Sequence, residues 1–155
     1  MRISVAQQRM YLYQDEKPVT YYPISTSKFG LGDVPSSNKT PLGLMKVKKK
    51  IGDNLPSGAV MKARRPTGEV LPPDSPGRDP IVSRILWLDG QEPGNKNAFH
   101  RYIYIHGTTE ERTIGSASSY GCIRMKSKDI IDLYDRIGKG ARVYVVDDRK
   151  PVGKY

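Results

Sequence analysis

The side chains best able to do covalent chemistry lie in one stretch, Tyr104 to Met125, which reads YIHGTTEERTIGSASSYGCIRM. His106 is followed at once by Gly107, and Cys122, the single cysteine of the chain, comes sixteen positions after His106. A thiol becomes a strong nucleophile when it loses its proton, and a free thiol does so at a pKa of about 8.5. An imidazole within hydrogen-bond reach, or a helix N-terminus nearby, raises the thiolate fraction at neutral pH. Gly121 lets backbone approach a substrate closely, and the amides of Gly121 and Cys122 are candidate donors to an oxyanion. Arg124 supplies a fixed charge that can pair with a substrate carboxylate. Ser119 can orient the loop and Tyr120 can donate a hydrogen bond or pack on substrate. On residue types alone a second reading stays open: a lone Cys can be a small buried hydrophobe, and a His at a strand end can be structural.

Positioning these groups requires a strand that ends at His106 and a loop that folds back to Cys122. Arg101 to His106, RYIYIH, is rich in β-branched and aromatic residues, which predicts a strand. Alternation places Ile103 and Ile105 on one face, with Tyr102, Tyr104 and His106 on the other, so Tyr104 is a candidate pocket residue. His100 and Arg101, at its start, are expected in solvent. Residues 127 to 137 form the one clear helix, with Ser127 as N-cap, Ile130, Ile131, Leu133, Tyr134 and Ile137 as its apolar face, and Gly138 as the stop.

The first half reads as short strands: one around Ile3 and Val5, one at Met10 to Tyr13, a turn at Asp15 to Pro18, and one at Val19 to Ile24. Leu44 to Lys50 is a strand with Met45 and Val47 inward and Lys46, Lys48 and Lys50 outward. Ile81 to Leu88 follows, and Ala141 to Val146 is expected as a last, buried strand. Residues 64 to 80 and 89 to 100 read as long loops. About eight strands and one helix give a mainly β domain with long cleft-forming loops.

Composition removes several classes. The 155 residues carry 26 Lys and Arg against 16 Asp and Glu, a net charge of +10 that suits nucleic acid, anionic lipid or acidic cell-wall polymer. No nucleic-acid recognition motif accompanies the charge. No apolar run is long enough to span a membrane, and the start of the chain, MRISVAQQRMYLYQ, has no apolar signal core. One Cys rules out an intramolecular disulfide, and neither HExxH nor CxxC is present to suggest zinc.

The flanking pattern resembles the L,D-transpeptidase catalytic domain, also called the YkuD domain. The resemblance is carried by His106-Gly107-Thr108, by Ser119-Tyr120-Gly121-Cys122-Ile123-Arg124-Met125, and by Thr40-Pro41-Leu42-Gly43, and it extends over roughly residues 3 to 146. It implies a β-sandwich of two packed mixed sheets, a catalytic domain over residues 1–148 and a short tail over 149–155. It implies peptidoglycan stem peptides as substrates: Cys122 attacks the third stem residue, D-alanine leaves, and an amine of a second stem resolves the thioester into a 3→3 cross-link. His106 would be the base, oriented through the carbonyl of Gly107, with no metal or organic cofactor. Carbapenem-type β-lactams would acylate Cys122, and the site of action would be the periplasm or cell envelope. An L,D-carboxypeptidase or amidase on the same thiol, or a wall-polymer binding module, are the rival readings. One position departs from the family pattern, since Tyr120 stands where a second His is usual.

Overall fold

The computed structural model describes residues 1–149, so all but one residue of the expected 149–155 tail lies outside the described residues. Ten strands and one helix follow in the order β1 (Arg2–Ser4), β2 (Arg9–Gln14), β3 (Lys17–Pro23), β4 (Gly43–Ile51), β5 (Ala59–Lys62), β6 (Arg65–Val70), β7 (Ile81–Gly90), β8 (Tyr104–Thr108), β9 (Ile123–Lys126), α1 (Ser127–Arg136) and β10 (Arg142–Val146). They hydrogen-bond as β3-β2-β1-β10-β4-β7-β5-β6, with β8 joining β7 to β9. The β1–β10 and β8–β9 pairs are parallel and the others antiparallel.

The mainly β expectation holds, but the two packed sheets are one continuous, curled mixed sheet. The physical reason is the length of β7. Its C-terminal half pairs with β4, its N-terminal end pairs with β5, and its other edge carries β8, so hydrogen bonding never breaks into two layers. A register shift between Val82 and Ile85 bends the strand where it changes partners, as bulges do.

Both faces of β7 and β8 are covered, which explains the unbroken apolar run ILWL. Leu86, Leu88, Ile103 and Ile105 join the main core with Ile3, Met10, Met45, Met125, Ile130, Leu133 and Val143. Ile85, Trp87 and Tyr104 form a second cluster on the opposite face with Met61.

Several expectations are corrected. Residues 64–80 are not all loop, because β5 and β6 form a hairpin there. Its turn residues, Ala63 (φ +49) and Arg64 (φ +64), adopt the left-handed geometry that hairpins favour, without the Gly or Asn that would announce it. β8 begins at Tyr104, and Tyr102 (φ +58) lies in the preceding turn with an exposed ring, off the face shared by Tyr104 and His106. β10 alternates, with Val143 and Val145 buried and Arg142 and Tyr144 outside. Arg101 is not in solvent; it pairs with Asp33 at 3.1 Å, both side chains less than a tenth exposed.

The helix ends also differ. Lys126 occupies the N-cap position and gives no side-chain cap; Ser127 is the first helical residue, and its N–H donates to Glu111 Oε2 at 3.1 Å. At the other end Ile137 is extended, and the last carbonyls are served by Lys50. Its Nζ donates to the oxygens of Tyr134 and Ile137, each at 2.7 Å. Lys50 is therefore a cap on the negative end of the helix dipole rather than a solvated lysine. Lys50→Met is expected to lower stability by about 1–2 kcal/mol through these charge-assisted bonds, measured by urea unfolding.

Candidate functional site

The β7–β8–β9 ladder sets the geometry. His106 lies opposite Ile85 of β7 on one side and beside Arg124 of β9 on the other. Cys122 immediately precedes β9, two residues before Arg124, so the period-two alternation of strands brings Cys122 and His106 to one face. Gly107 is required by space: a Cβ there would stand 2.5 Å from the Val82 carbonyl oxygen and 3.2 Å from Ile130 Cγ2. Any side chain would push β8 off β7.

His106 is buried, and its Nδ1 is 2.7 Å from the carbonyl oxygen of Gly107. A carbonyl only accepts, so Nδ1 carries the proton and Nε2 is the basic nitrogen. Nε2 makes no hydrogen bond among the described residues. Burial pulls the imidazole pKa below its usual value, which keeps the ring neutral at pH 7. Asp79 opposes this shift and Arg124 adds to it.

Cys122 is half-buried. Its Sγ accepts from the Tyr104 N–H at 3.3 Å and donates to the Tyr102 carbonyl oxygen at 3.3 Å. Burial pushes the thiol up to about 11, against smaller opposing effects of the Tyr104 N–H, Arg101 and Arg124. Burial thus works against the expected raised thiolate fraction and favours the neutral forms of thiol and imidazole. Nor does a helix N-terminus help, because β9 intervenes between Cys122 and α1. Such a pair can still act if the proton passes to Nε2 as sulfur attacks.

The two side chains line one cavity of about 150 Å³ together with Asp79, Ile81, Ser119, Tyr120 and Arg124. A larger hollow of about 760 Å³ lies between Met1, the β2–β3 hairpin and the segment after α1; it holds carboxylates and an arginine but neither thiol nor imidazole, so the chemistry favours the smaller one.

The turn before Cys122 is held from both sides. Gly121 sits at φ +123, a conformation other residues rarely adopt. Its carbonyl accepts from Thr40 Oγ1 at 2.9 Å, and the Cys122 carbonyl accepts from Ser119 Oγ at 2.6 Å. The Gly121 N–H makes only a long 3.3 Å bond to Ser119 Oγ, and the Cys122 N–H makes none among the described residues. The unpartnered Cys122 N–H and the weakly held Gly121 N–H remain the candidate donors to an oxyanion.

Other expected residues take different parts. Arg124 reaches the cavity, but its guanidinium is engaged: Nη1 donates to Asp79 Oδ2 at 2.6 Å, and Nη2 to Ser118 Oγ at 2.6 Å and Thr113 Oγ1 at 3.0 Å. It rivets the 109–121 loop to β9, and pairing with a substrate carboxylate would require displacing Asp79. Tyr104 serves through its N–H, while its buried ring packs edge-on to Trp87 at 5.5 Å and its hydroxyl accepts from Arg64. Tyr120 stands at the rim, 61% exposed, its hydroxyl accepting from Lys28 Nζ at 3.1 Å and its ring 5.7 Å from that of Phe29.

Sequence reasoning missed Asp79, which joins three segments by accepting from Arg124 and from Thr108 Oγ1. It also missed Tyr102, whose carbonyl holds the thiol, and Ser118 and Thr113. An Asp in a Pro-rich stretch gives no local sign of such a role. Thr40 belongs to the segment that carried the family resemblance, although its bond to Gly121 was not foreseeable.

Comparison with known proteins agrees with this architecture. The family model for the YkuD L,D-transpeptidase catalytic domain matches residues 1–145. The relative named "Probable L,D-transpeptidase YbiS" of Escherichia coli strain K12 is 31% identical over 150 residues, 94% of this chain and 44% of the relative. Among solved structures, an L,D-transpeptidase from Mycobacterium smegmatis superposes with a TM-score of 0.61 at 18% identity, covering 94% of this chain and 57% of that one. L,D-transpeptidase 3 from Mycobacterium tuberculosis, in complex with a faropenem-derived adduct, gives 0.60 at 18% identity, covering 94% and 59%. The chain belongs to the L,D-transpeptidase catalytic domain family, and it spans less than half the length of the curated relatives it matches.

Two outcomes are expected. Alkylation of Cys122 by iodoacetamide should keep rising with pH well above the usual thiol pKa of about 8.5, because the neutral thiol persists to about 11. Asp79→Asn removes the negative charge that supports protonation of His106 while leaving Arg124. The imidazole titration followed by NMR should then move to lower pH, with stability falling by about 1–3 kcal/mol as Arg124 loses its counter-charge.

Proposed function

We propose that this domain catalyses L,D-acyl transfer on peptidoglycan stem peptides. The observation that carries the reading is the His106 Nδ1–H bond to the Gly107 carbonyl, which leaves Nε2 as a base in the cavity that Cys122 lines. Sulfur attacks the carbonyl carbon of the third stem residue while its proton passes to Nε2. The oxyanion is received by the N–H groups of Cys122 and Gly121. The C–N bond then breaks, the imidazolium gives its proton to the departing D-alanine amine, and a thioester remains on Cys122. An amine from a second stem attacks the thioester and gives up a proton to His106. Collapse restores the thiol and yields a 3→3 cross-link. Water in place of that amine would make the same site an L,D-carboxypeptidase. The scheme calls for no metal or organic cofactor.

A raised thiol pKa fits this sequence of events. Proton and sulfur move together, so a bound carbonyl is needed before the nucleophile is unmasked, and the idle thiol is protected from oxidation. Peptidoglycan lies outside the cytoplasmic membrane, which places the reaction in the periplasm or cell envelope. Membership of the family and the faropenem-derived adduct on a solved relative support β-lactams as covalent inhibitors, carbapenems included.

Intact mass after incubation with a carbapenem tests the nucleophile. The wild type should gain one β-lactam and Cys122→Ala none; an unmodified wild type would leave only the wall-binding reading. Muropeptide analysis separates the acceptors, with cross-linked dimers expected and shortened monomers pointing to hydrolysis.

A further inference from the structure

On the face of the sheet that carries the second apolar cluster, Trp87 and Phe99 stack at 4.3 Å with their planes 10° apart, and Tyr102 lies 5.7 Å from Trp87. Three cations rest on these rings. Lys48 Nζ is 4.4 Å from the Phe99 centroid, Lys49 Nζ is 5.3 Å from that of Trp87, and Arg64 Cζ is 4.9 Å from Trp87 and 5.3 Å from Tyr102.

Consecutive residues on a regular strand point to opposite faces. Lys48 and Lys49 instead both reach the Phe99 ring, because β4 shifts register against β7 between Val47 and Lys49. Arg64 is delivered by the left-handed hairpin turn, and Tyr102 by its own left-handed backbone, a strain that residues accept at functional sites. The fold thus departs from regularity three times to gather these groups.

The gathered charge has no carboxylate partner among the described residues, although Arg64 also donates to the Tyr104 hydroxyl. Buried Arg101 and Arg124 each have an aspartate, whereas none of Lys48, Lys49 and Arg64 forms an ion pair among the described residues. The surface also adjoins the nucleophile. Cys122 packs against the Trp87 and Tyr104 cluster, and its thiol is bonded to the carbonyl of Tyr102.

We propose that Lys48, Lys49 and Arg64, seated on Trp87, Phe99 and Tyr102, form a shelf that binds a carboxylate of the peptide donating its acyl group to Cys122. The inference rests on the stem-peptide reading and assigns that substrate's charge to a particular surface. Cations resting on rings keep their outward donors for an anion, and the aromatic faces accept the aliphatic body of a peptide. The donor is the stem assigned to this surface because its reacting carbonyl must reach Cys122 Sγ, which adjoins the shelf through the Tyr102 carbonyl and the Trp87 cluster.

Binding is measured by calorimetry in Cys122→Ala, where no bond chemistry enters, with two probes: a tetrapeptide stem with free carboxylates and the same stem with its carboxylates amidated. Adding Lys48→Gln, Lys49→Gln and Arg64→Gln should weaken binding of the free stem by about tenfold or more and flatten its salt dependence, with little effect on the amidated stem. Lys17→Gln, on the far edge of the sheet, should change neither. Thermal melting of the triple variant checks that it is folded. Equal losses for both stems, or no loss for either, would overturn the shelf. So would a variant that binds soluble stem normally but fails to bind intact sacculi, which would make the surface a wall-polymer contact. Charge-dependent binding with no turnover of any stem by the wild type would uphold the shelf and count against the proposed reaction.

Discussion

The parallel pairing of β8 with β9 is the contact on which the site depends. It sets His106 beside Arg124 and brings Cys122, at the mouth of the same strand, to the same face. Parallel strands need a long connection, and here the crossing segment, residues 109–122, is itself the wall of the cavity. Its fixation follows from that demand. Glu111 holds the first turn of α1, Arg124 holds Thr113 and Ser118, and Thr40 and Ser119 hold the carbonyls of Gly121 and Cys122. A long polar loop thereby becomes a rigid part of the site.

Burial governs the charge states. The same desolvation that raises the thiol also lowers the imidazole, so burial favours the neutral form of both. An exposed thiolate would be reactive towards any electrophile or oxidant. The half-buried Cys122 thiol instead lies between a backbone N–H and a backbone C=O.

The positive surplus is distributed unevenly in kind as well as in place. Two arginines, Arg101 and Arg124, are buried against Asp33 and Asp79 and act as fasteners between loops and strands. Breaking either pair would strand a charge away from water, which favours a single arrangement of the loops around the cavity. Lys50 is likewise structural, closing the end of α1. Other cations stay on the surface, so net charge alone overstates how much of it is free to meet a partner.

The sequence by itself pointed to the candidate residues and determined that the fold is mainly β with one helix. His106-Gly107 and Gly121-Cys122 are legible because each demands a particular residue type at a particular spacing. Ile81 to Leu88 is legible as a short apolar run buried on both faces, and α1 because burial on one helix face has a period. The β5–β6 hairpin was not legible, since Ala63 and Arg64 take left-handed geometry without a Gly or Asn to signal it. Tertiary structure alone decided that one sheet curls instead of two sheets packing, because that depends on how many partners β7 takes. It alone decided that Asp79 faces Arg124, that Lys50 caps a helix and that burial pushes the thiol pKa up. Each of these is a relation between residues distant in the chain, set by burial and by long-range hydrogen bonds, and no local pattern of residue types encodes either.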